Sequence, residues 1–135
     1  MAFISWNDRI KVGIKEIDDQ HKVLIDYINR LYDAMKARKG KEVLAPILKG
    51  LLDYTKTHFK QEEAHMVRFG YSDYPTHKRA HEEFVKKIIE FSKKLDEGRH
   101  SLSMEVMNFL SDWLIKHIQG VDRKYVPLFK EKGLV

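Results

Sequence analysis

Four segments of this chain carry side chains at alternating steps of three and four residues, and this repeat constrains the fold more than any other feature. Such steps place one side chain per turn on a single helix face, as in the seams of helical bundles. Histidines and carboxylates occupy some positions where a core hydrophobe is expected. The seams comprise Ile17, His21, Leu24, Ile28, Leu31 and Met35; Leu44, Leu48, Leu51, Thr55, His58, Glu62 and His65; His77, His81, Phe84, Ile88, Phe91 and Leu95; and Leu102, Val106, Leu110, Trp113 and His117.

Capping residues and proline set the expected bounds of the first two helices. Asp18 or Asp19 can cap the first helix, and Gly40, which follows a basic run, can stop it. The second helix is expected to begin between Glu42 and Pro46, because proline is tolerated only in the first turn of a helix.

Glycine and proline set the later bounds in the same way. The second helix should end near Phe69, ahead of a glycine. Pro75 is expected in the first turn of the third helix, and Gly98 should stop that helix. Gly120 is expected to break the fourth helix, and a short helix should follow from about Asp122 to Lys130.

Short connections between these segments make neighbouring helices antiparallel. The sequence therefore predicts an all-α fold, an up-down-up-down four-helix bundle with an extended N-terminal arm and a short C-terminal helix. We expect a single domain over residues 1–135, with the arm over 1–16, the bundle over 17–122 and a C-terminal tail over 123–135. The arm is apolar without a helical period, and Trp6 should anchor it; its apolar residues are Phe3, Ile4, Trp6, Ile10, Val12 and Ile14.

Composition excludes several kinds of function. The chain has no cysteine, which removes disulfides, thiolate metal sites, iron–sulfur clusters and thiol catalysis. Its 25 basic residues are interleaved with 20 acidic ones, so no nucleic-acid partner is expected despite a net charge of +5. No apolar run has the length of a membrane span and the first residues lack a signal peptide, so we expect a cytoplasmic protein without a membrane span.

The ionisable residues of the seams have spacings that suit metal binding. Residues four apart lie one turn above each other on a helix face, so His58 pairs with Glu62 and His77 pairs with His81. In an antiparallel bundle, early positions of the first and third helices meet late positions of the second and fourth. The sequence therefore predicts that seven groups converge at one end of the bundle: His21, His58, Glu62, His77, His81, His117 and Asp122.

The spacing between His117 and Asp122 departs from this pattern. Five residues of regular α-helix leave two side chains about 140° apart. Gly120 lies between them and offers a remedy, because a helix that loosens or ends there can turn Asp122 back towards the metal. We therefore expect a break at residues 119–121.

This donor set favours two linked metal ions. Seven protein ligands are too many for one zinc ion, and burying so many ionisable groups without partners would cost several kcal/mol each. Imidazole and carboxylate suit iron, zinc, manganese or copper. A histidine-rich site stabilises ferrous more than high-valent iron, which favours reversible oxygen chemistry over oxidation of a substrate. Any one of these histidines alone would be interpreted as structural.

Two further histidines are not expected to bind metal. His65 is expected to be solvated or hydrogen-bonded without being a ligand, and His100 is expected to be exposed in a turn.

The arrangement His…His-x-x-x-Glu…His-x-x-x-His…His-x-x-x-x-Asp resembles hemerythrin over nearly the whole chain. Its start, Ile4-Ser-Trp-Asn followed by Ile17-Asp-x-Gln-His21, resembles the single-domain bacterial form of that family, the bacteriohemerythrins. The resemblance implies a non-haem di-iron centre, with two iron ions (Fe²⁺ or Fe³⁺) joined by an oxo or hydroxo bridge. One iron would be held by His77, His81 and His117, the other by His21 and His58, and the protein bridges would be Glu62 and Asp122.

The same resemblance implies an oxygen site at the two-histidine iron, which would keep one open position. Tyr125 matches a family position near the bridge. A dry pocket would keep water and protons away from bound oxygen. The residues that match the oxygen pocket are Leu24, Phe59, Trp113, Leu114 and Ile118.

By this resemblance the function is reversible dioxygen binding, in an oxygen carrier, a store, a delivery protein or a sensor. Two other classes stay open, namely a di-iron enzyme that consumes peroxide or nitric oxide and an iron-handling protein. The apolar pocket, with no acid or base facing the open position, favours binding over catalysis, so no enzyme activity is expected. Dioxygen would be the ligand, and an oxygen-consuming enzyme or a reductase is the kind of protein partner to expect.

Overall fold

Helices make up most of the described chain, which in this computed structural model comprises residues 3–38, 41–97 and 103–135. A π-helical turn over His117–Val121 and a 3₁₀ turn over Asp122–Tyr125 join the fourth helix to the fifth. Helix α2 packs on α1 and α3, and α4 packs on α1, so the predicted up-down-up-down bundle is confirmed. The α-helices are α1 (Lys15–Lys36), α2 (Lys41–Phe69), α3 (Tyr74–Asp96), α4 (Ser103–Lys116) and α5 (Val126–Glu131).

The predicted seams form the core of the bundle. Most of their apolar residues are buried, and each such burial stabilises the fold by about 1.5–3 kcal/mol before entropy is counted. Met35, His65 and Trp113 are the half-buried exceptions among the described seam residues. Regular α-helices drift relative to a strict repeat of three and four, so seam positions turn away from the core towards helix ends.

Helix α1 begins earlier than predicted, and its start is not capped as expected. Ile14 is the N-cap residue and makes no side-chain cap hydrogen bond. The Asp18 carboxylate instead accepts hydrogen bonds from the backbone amides of Val12 (2.8 Å) and Gly13 (3.1 Å), which precede the helix. Asp18 therefore joins the arm to α1 rather than capping it.

The prediction for the start of α2 was wrong, because the helix begins at Lys41 and Pro46 lies in its second turn. Proline lacks an amide hydrogen, so the carbonyl four residues earlier, at Glu42, has no helical donor. Glu42 is exposed, so water can reach that carbonyl. The predicted end of α2 and the predicted place of Pro75 agree with the structure. Helix α2 ends at Phe69, and Pro75 lies in the first turn of α3.

The N-terminal arm is extended, with one turn near residues 8–10, and lies against α1. The backbone of Ile4 forms two hydrogen bonds with the Asn29 side chain, its amide donating at 2.8 Å and its carbonyl accepting at 2.9 Å. Trp6 is half-buried against the core, and the Lys22 ammonium lies 5.1 Å from its ring centroid. Trp6 therefore holds the arm to α1, as predicted.

Five positions used in the predictions lie outside the described residues: Met1, Gly40, Gly98, His100 and Leu102. Of the helices in the described ranges, none combines the length and apolar character required to cross a membrane.

Candidate metal centre

The seven predicted side chains meet at one end of the bundle, and at most 5% of each residue is exposed. They form two donor groups, and the donor atoms within each group lie within 4.8 Å of one another. Glu62 belongs to both groups. The five-residue group is Glu62, His77, His81, His117 and Asp122, and the three-residue group is His21, His58 and Glu62.

Three imidazole nitrogens converge in the five-residue group. The Nε2 atom of His117 lies 3.1 Å from Nε2 of His77 and 3.1 Å from Nε2 of His81. Two ligands at right angles around a metal ion, each at about 2.1 Å, would have nitrogens about 3.0 Å apart. The spacing of these nitrogens therefore suits three ligands on one face of a metal ion.

Each carboxylate turns one oxygen towards each donor group. Glu62 Oε1 lies 3.3 Å from His77 Nε2, whereas Oε2 lies 3.9 Å from His21 Nε2. Asp122 Oδ1 lies 3.0 Å from His77 Nε2, whereas Oδ2 lies 3.2 Å from His21 Nε2. Two carboxylates placed in this way can each bind two metal ions, one per oxygen.

Several buried donor atoms have no hydrogen-bond partner among the described residues. They include Nε2 of His21, Oε1 of Glu62 and both oxygens of Asp122. Leaving one such atom unsatisfied costs about 1–3 kcal/mol, and more when the group is charged. Cations between the two groups would satisfy all four atoms, so the residues present fit a pair of metal ions. The Nδ1 atoms of His21 and His77 are also without a partner, and nothing in the described structure explains them.

The predicted break at residues 119–121 does not occur; the helix instead loosens between His117 and Asp122, the other outcome expected there, and continues as the π-helical turn. The Asp122 amide donates to the His117 carbonyl, the five-residue step of a π-helix. This wider turn brings two side chains five residues apart to the same face. Gly120 is not required sterically, because its φ is not positive and a Cβ there would meet nothing within 4 Å.

The N-terminal arm contacts this turn on both sides of Asp122. The Gln119 side-chain amide donates to the carbonyl of Arg9 at 3.3 Å. The Arg123 guanidinium donates to the carbonyls of Asp8 (3.5 Å), Lys11 (3.1 Å) and Arg9. The arm thus supplies acceptors that hold the irregular turn, and with it Asp122, in position.

Two of the histidines have hydrogen-bond partners on their outer nitrogens. His81 Nδ1 lies 2.8 Å from Glu63 Oε2, and His58 Nδ1 lies 2.5 Å from Gln20 Oε1. Both partners are acceptors, which assigns the proton to Nδ1 and leaves Nε2 free to bind a metal. Sequence reasoning missed Gln20 and Glu63. The signal available was their position, since each is a polar residue next to a predicted ligand.

Tyr125 lies beside Glu62, the carboxylate that belongs to both donor groups, at the place that the resemblance implied. Its hydroxyl donates to Glu62 Oε2 at 2.6 Å, and its ring stacks on His77 with centroids 5.7 Å apart. Burial, together with the nearby carboxylates Asp122 and Glu62, raises the pKa of Tyr125 well above its usual value. The hydroxyl therefore keeps its proton and remains a donor.

The nearby carboxylates raise the pKa values of both donor histidines of α3 in the protein without bound metal. Burial opposes protonation of His77, but the carboxylate oxygens of Asp122 (3.0 Å) and Glu62 (3.3 Å) beside its Nε2 atom raise its pKa to about 9. His81 is affected in the same sense, since Glu62 and Glu63 raise its pKa against the effect of burial. At neutral pH His77 therefore carries a proton at a position that a metal ion would take.

The pKa values of three other buried groups, His58, Glu62 and Asp122, are lowered. Burial lowers the pKa of His58 to about 4, although Glu62 attracts its proton, so this ring is neutral. Burial alone would raise the pKa of Glu62 and of Asp122, but the surrounding histidines hold both pKa values well below their usual range. The two carboxylates are therefore ionised, which is the form that binds metals.

Two aromatic residues predicted for the oxygen pocket lie against histidines. The ring of Phe59 stacks on His81 with centroids 3.6 Å apart, and Trp113 stacks on His117 at 4.2 Å. Both contacts are on the three-histidine side of the centre. The remaining pocket residues are buried in the core within one turn of His21 or His117 in sequence; they are Leu24, Leu114 and Ile118.

His65 lies outside both donor groups. Its Nε2 atom is 3.3 Å from a carboxylate oxygen of Glu16, and its Nδ1 atom accepts from Arg68 at 3.1 Å. The ring also stacks on Phe69, with centroids 6.0 Å apart. Each ring nitrogen thus has a partner on the protein.

Comparison with known proteins identifies similar chains over nearly the full length. A family model described as the hemerythrin HHE cation binding domain matches residues 12–129. The bacteriohemerythrin of Pseudomonas aeruginosa is 38% identical over 128 residues, which cover 93% of this chain and 81% of that protein. The bacteriohemerythrin of Methylococcus capsulatus is 34% identical over 128 residues, which cover 94% and 97%.

Solved structures give the same result for the fold. A crystal structure of wild-type hemerythrin matches with a TM-score of 0.86 at 33% identity, covering 94% of this chain and 98% of that one. The crystal structure of a hemerythrin point mutant matches with a TM-score of 0.87 at 32% identity, covering 95% and 98%. The structural similarity therefore extends over the bundle and over the segment after α4 that carries Asp122.

Proposed function

The chain belongs to the hemerythrin family, and from that premise we propose that it binds dioxygen reversibly at a non-haem di-iron centre, as an oxygen carrier, store or delivery protein. Glu62 and Asp122 bridge the two iron ions in this proposal. One iron is held by His77, His81 and His117, and the other by His21 and His58.

The observation that carries the proposal is the two-sided placement of the carboxylates. Each turns one oxygen to His77 and the other to His21, so each can bind both ions. A single metal ion on the His77 side would leave Oδ2 of Asp122 buried without a partner, and a single ion on the His21 side would leave Oδ1 of Asp122 and Oε1 of Glu62 without one. Two ions are therefore the number that this donor set can satisfy.

The unequal donor groups support binding of an outside ligand at one iron only. The group around His77 offers three histidine nitrogens, whereas the group around His21 offers two. Glu62 belongs to both groups, and Oδ2 of Asp122 also lies 3.2 Å from Nε2 of His21, so both carboxylates are within reach of both ions. At equal coordination number, the two-histidine iron keeps one more position for a small molecule.

Residues of this chain would keep that position dry and the donors fixed. Bound ferrous iron would supply the electrons for reversible binding of dioxygen. Leu24, Leu114 and Ile118 are buried and apolar, so they exclude water from the space beside His21 and His117. The Tyr125 hydroxyl holds the Glu62 carboxylate in place through its hydrogen bond.

The proposal does not include turnover of a substrate. The three aliphatic residues assigned to the pocket carry no group that could donate or accept a proton. General acid–base catalysis needs a titratable side chain within hydrogen-bond reach of the reacting molecule. These side chains therefore support binding rather than catalysis.

The test is repeated oxygenation of the reduced protein. The chain is loaded to two irons per molecule, reduced without oxygen, and its visible spectrum is recorded through cycles of oxygen and argon. A charge-transfer band that appears with oxygen and disappears with argon in every cycle is expected. Asp122→Ala, which removes one bridge, should bind less iron and lose the band.

Other outcomes would contradict the proposal. A single irreversible change to the diferric spectrum, with steady consumption of peroxide or nitric oxide, would identify a di-iron enzyme. Rapid loss of iron to a weak chelator would identify an iron-handling protein.

A further inference from the structure

A groove lies between α2 and α3 on the outer side of the metal centre, with a volume of about 600 Å³. Its inner end is formed by Phe59, Glu63 and His81, and its outer part by residues up to Lys93. The volume falls within the range of about 300–1,000 Å³ that is usual for sites of small organic ligands.

The floor of the groove is apolar. Phe59 from α2 and Val85 and Ile89 from α3 line it, and the last two are four residues apart on one helix face. Ile89 is 37% exposed, although a large aliphatic side chain gains free energy when it is covered. Val85 is half-buried and Phe59 is buried, so the apolar surface that the groove leaves uncovered belongs mainly to Val85 and Ile89.

The rim of the groove carries more available positive than negative charge. Four exposed lysines line it: Lys56, Lys60, Lys86 and Lys93. None of the four forms an ion pair within the part of the chain that the structure describes. Of the acidic lining residues, Glu63 accepts from His81, and Glu90 pairs with Lys87, which does not line the groove. Only Glu82 remains to oppose the lysines.

We propose that this groove binds a small amphiphilic anion, of which a medium-chain carboxylate is the simplest example. The alkyl part would cover Phe59, Val85 and Ile89, and the anionic group would lie among the lysines of the rim. Burial of this apolar surface supplies affinity, whereas the lysines select the sign of the headgroup. The proposal goes beyond oxygen binding and does not depend on it.

The position of the groove gives such a ligand a direct contact with the wall of the metal centre. The Phe59 ring that lines the groove stacks on His81, and the Glu63 carboxylate that lines it accepts the His81 Nδ1 proton. His81 also lines the inner end of the groove, so an occupant there would lie directly against a donor of the five-residue group.

The experiment is calorimetric titration of the iron-loaded full chain with decanoate below its micellar concentration. Acetate has the charge without the chain, and decyltrimethylammonium has the chain with the opposite charge. We expect decanoate to bind with a stoichiometry of one, and the other two probes to bind at least about tenfold more weakly. Equal affinity for decanoate and decyltrimethylammonium, or no binding of decanoate, would overturn the proposal.

Variants on the surface locate the site without disturbing the core. Ile89→Asp and Lys60→Glu should each weaken decanoate binding about tenfold or more, because one charges the floor and the other reverses a rim charge. Val67→Asp and Lys49→Glu are matched controls, since both residues are exposed on α2 and neither lines the groove. Decanoate binding that is unchanged in Ile89→Asp and Lys60→Glu would place the ligand elsewhere and refute the assignment.

Discussion

The hydroxyl of Tyr125 donates to Oε2 of Glu62 at 2.6 Å, and the tyrosine ring is fully buried. This contact joins the segment after α4 to α2, at the end of the bundle that carries the donors. It also fixes the carboxylate whose two oxygens face the two donor groups. We therefore expect the metal centre to respond to changes at Tyr125, although it belongs to neither donor group.

Tyr125→Phe should destabilise the protein without bound metal by about 1–3 kcal/mol, because a buried carboxylate loses a donor. The measurement is the free energy of unfolding by denaturant, with and without iron. Tyr71→Phe is the matched control, because Tyr71 packs edge-on against Tyr125 at 6.3 Å and is only half-buried. Equal losses in the two variants would mean that the Glu62 hydrogen bond contributes nothing specific.

Glu63→Gln should weaken iron binding by roughly 10–100-fold, the usual effect of removing an outer partner of a metal-bound histidine. The amide is a weaker acceptor than the carboxylate for the proton on His81 Nδ1, and it can also turn its own donor towards the ring. Competition with a chromophoric chelator measures the affinity. Glu83→Gln serves as the control, since Glu83 is exposed on α3. An unchanged affinity in Glu63→Gln would remove this glutamate from the support of the centre.

Arg123→Ala should loosen the contact between the arm and the π-helical turn. The guanidinium bonds three backbone carbonyls of residues 8–11, and its loss should cost about 1 kcal/mol because the site is exposed. Hydrogen exchange should become faster in residues 8–11 and 117–125. Lys124→Ala, an exposed neighbour, should leave both segments as protected as before. Protection that is unaltered in Arg123→Ala would contradict the role assigned to the arm.

Leu114→Ala should speed autoxidation of the oxygenated protein, because the cavity would admit water to the proposed pocket. Leu110→Ala controls for general loss of packing, since Leu110 is equally buried on α4 and one turn farther from His117. Both variants should lose about 2–5 kcal/mol of stability. Autoxidation no faster in Leu114→Ala than in Leu110→Ala would show that dryness at this position does not protect the oxygenated state.

Iron uptake should release protons, because His77 has a pKa of about 9 and His81 a raised pKa in the protein without metal. At pH 7 we expect about one proton per chain from His77, with any proton on His81 in addition, when ferrous iron is added without oxygen, as measured with an indicator dye. Protons compete with metal below pH 9, so affinity should increase from pH 6.5 towards 9. His65→Gln should release as many protons as the unaltered chain, and release of none would contradict the protonation state of His77.

The sequence predicted the bundle and the residues at its end because both depend on side-chain spacing. His58 and Glu62 are four residues apart, as are His77 and His81. In a regular helix the two members of each pair must therefore lie on the same face, one turn apart. The antiparallel order then brought His21 and His117 to the same level. These predictions needed only helix geometry and short connections.

The predictions that were wrong concern backbone hydrogen bonds. The sequence indicated an irregularity after His117, but a break, a 3₁₀ turn and a π-helical turn can all follow the same residues. Pro46 was excluded from the second turn of α2 by a rule that assumes a buried carbonyl, whereas the carbonyl concerned is exposed. Asp18 was assigned to a cap because its true donors, the amides of Val12 and Gly13, belong to the extended arm. The arm has no side-chain periodicity from which its position could be predicted.

The outer partners of the histidines were missed for a different reason. Gln20 and Glu63 lie at positions where polar residues are ordinary, and their role depends on rotamers that reach across to a neighbouring helix. Neither spacing nor composition encodes such a contact.

The contact between the arm and the π-helical turn joins residues from the two ends of the chain, 110 to 115 positions apart. A chain is synthesised from its N-terminus, and closing so long a loop is costly in entropy until the intervening helices have packed. Asp122 is therefore the last donor to reach its place. It follows that the nascent chain holds an incomplete set of ligands until Asp122 has been made and the arm has docked, so metal capture belongs to a late step of folding rather than to its nucleation.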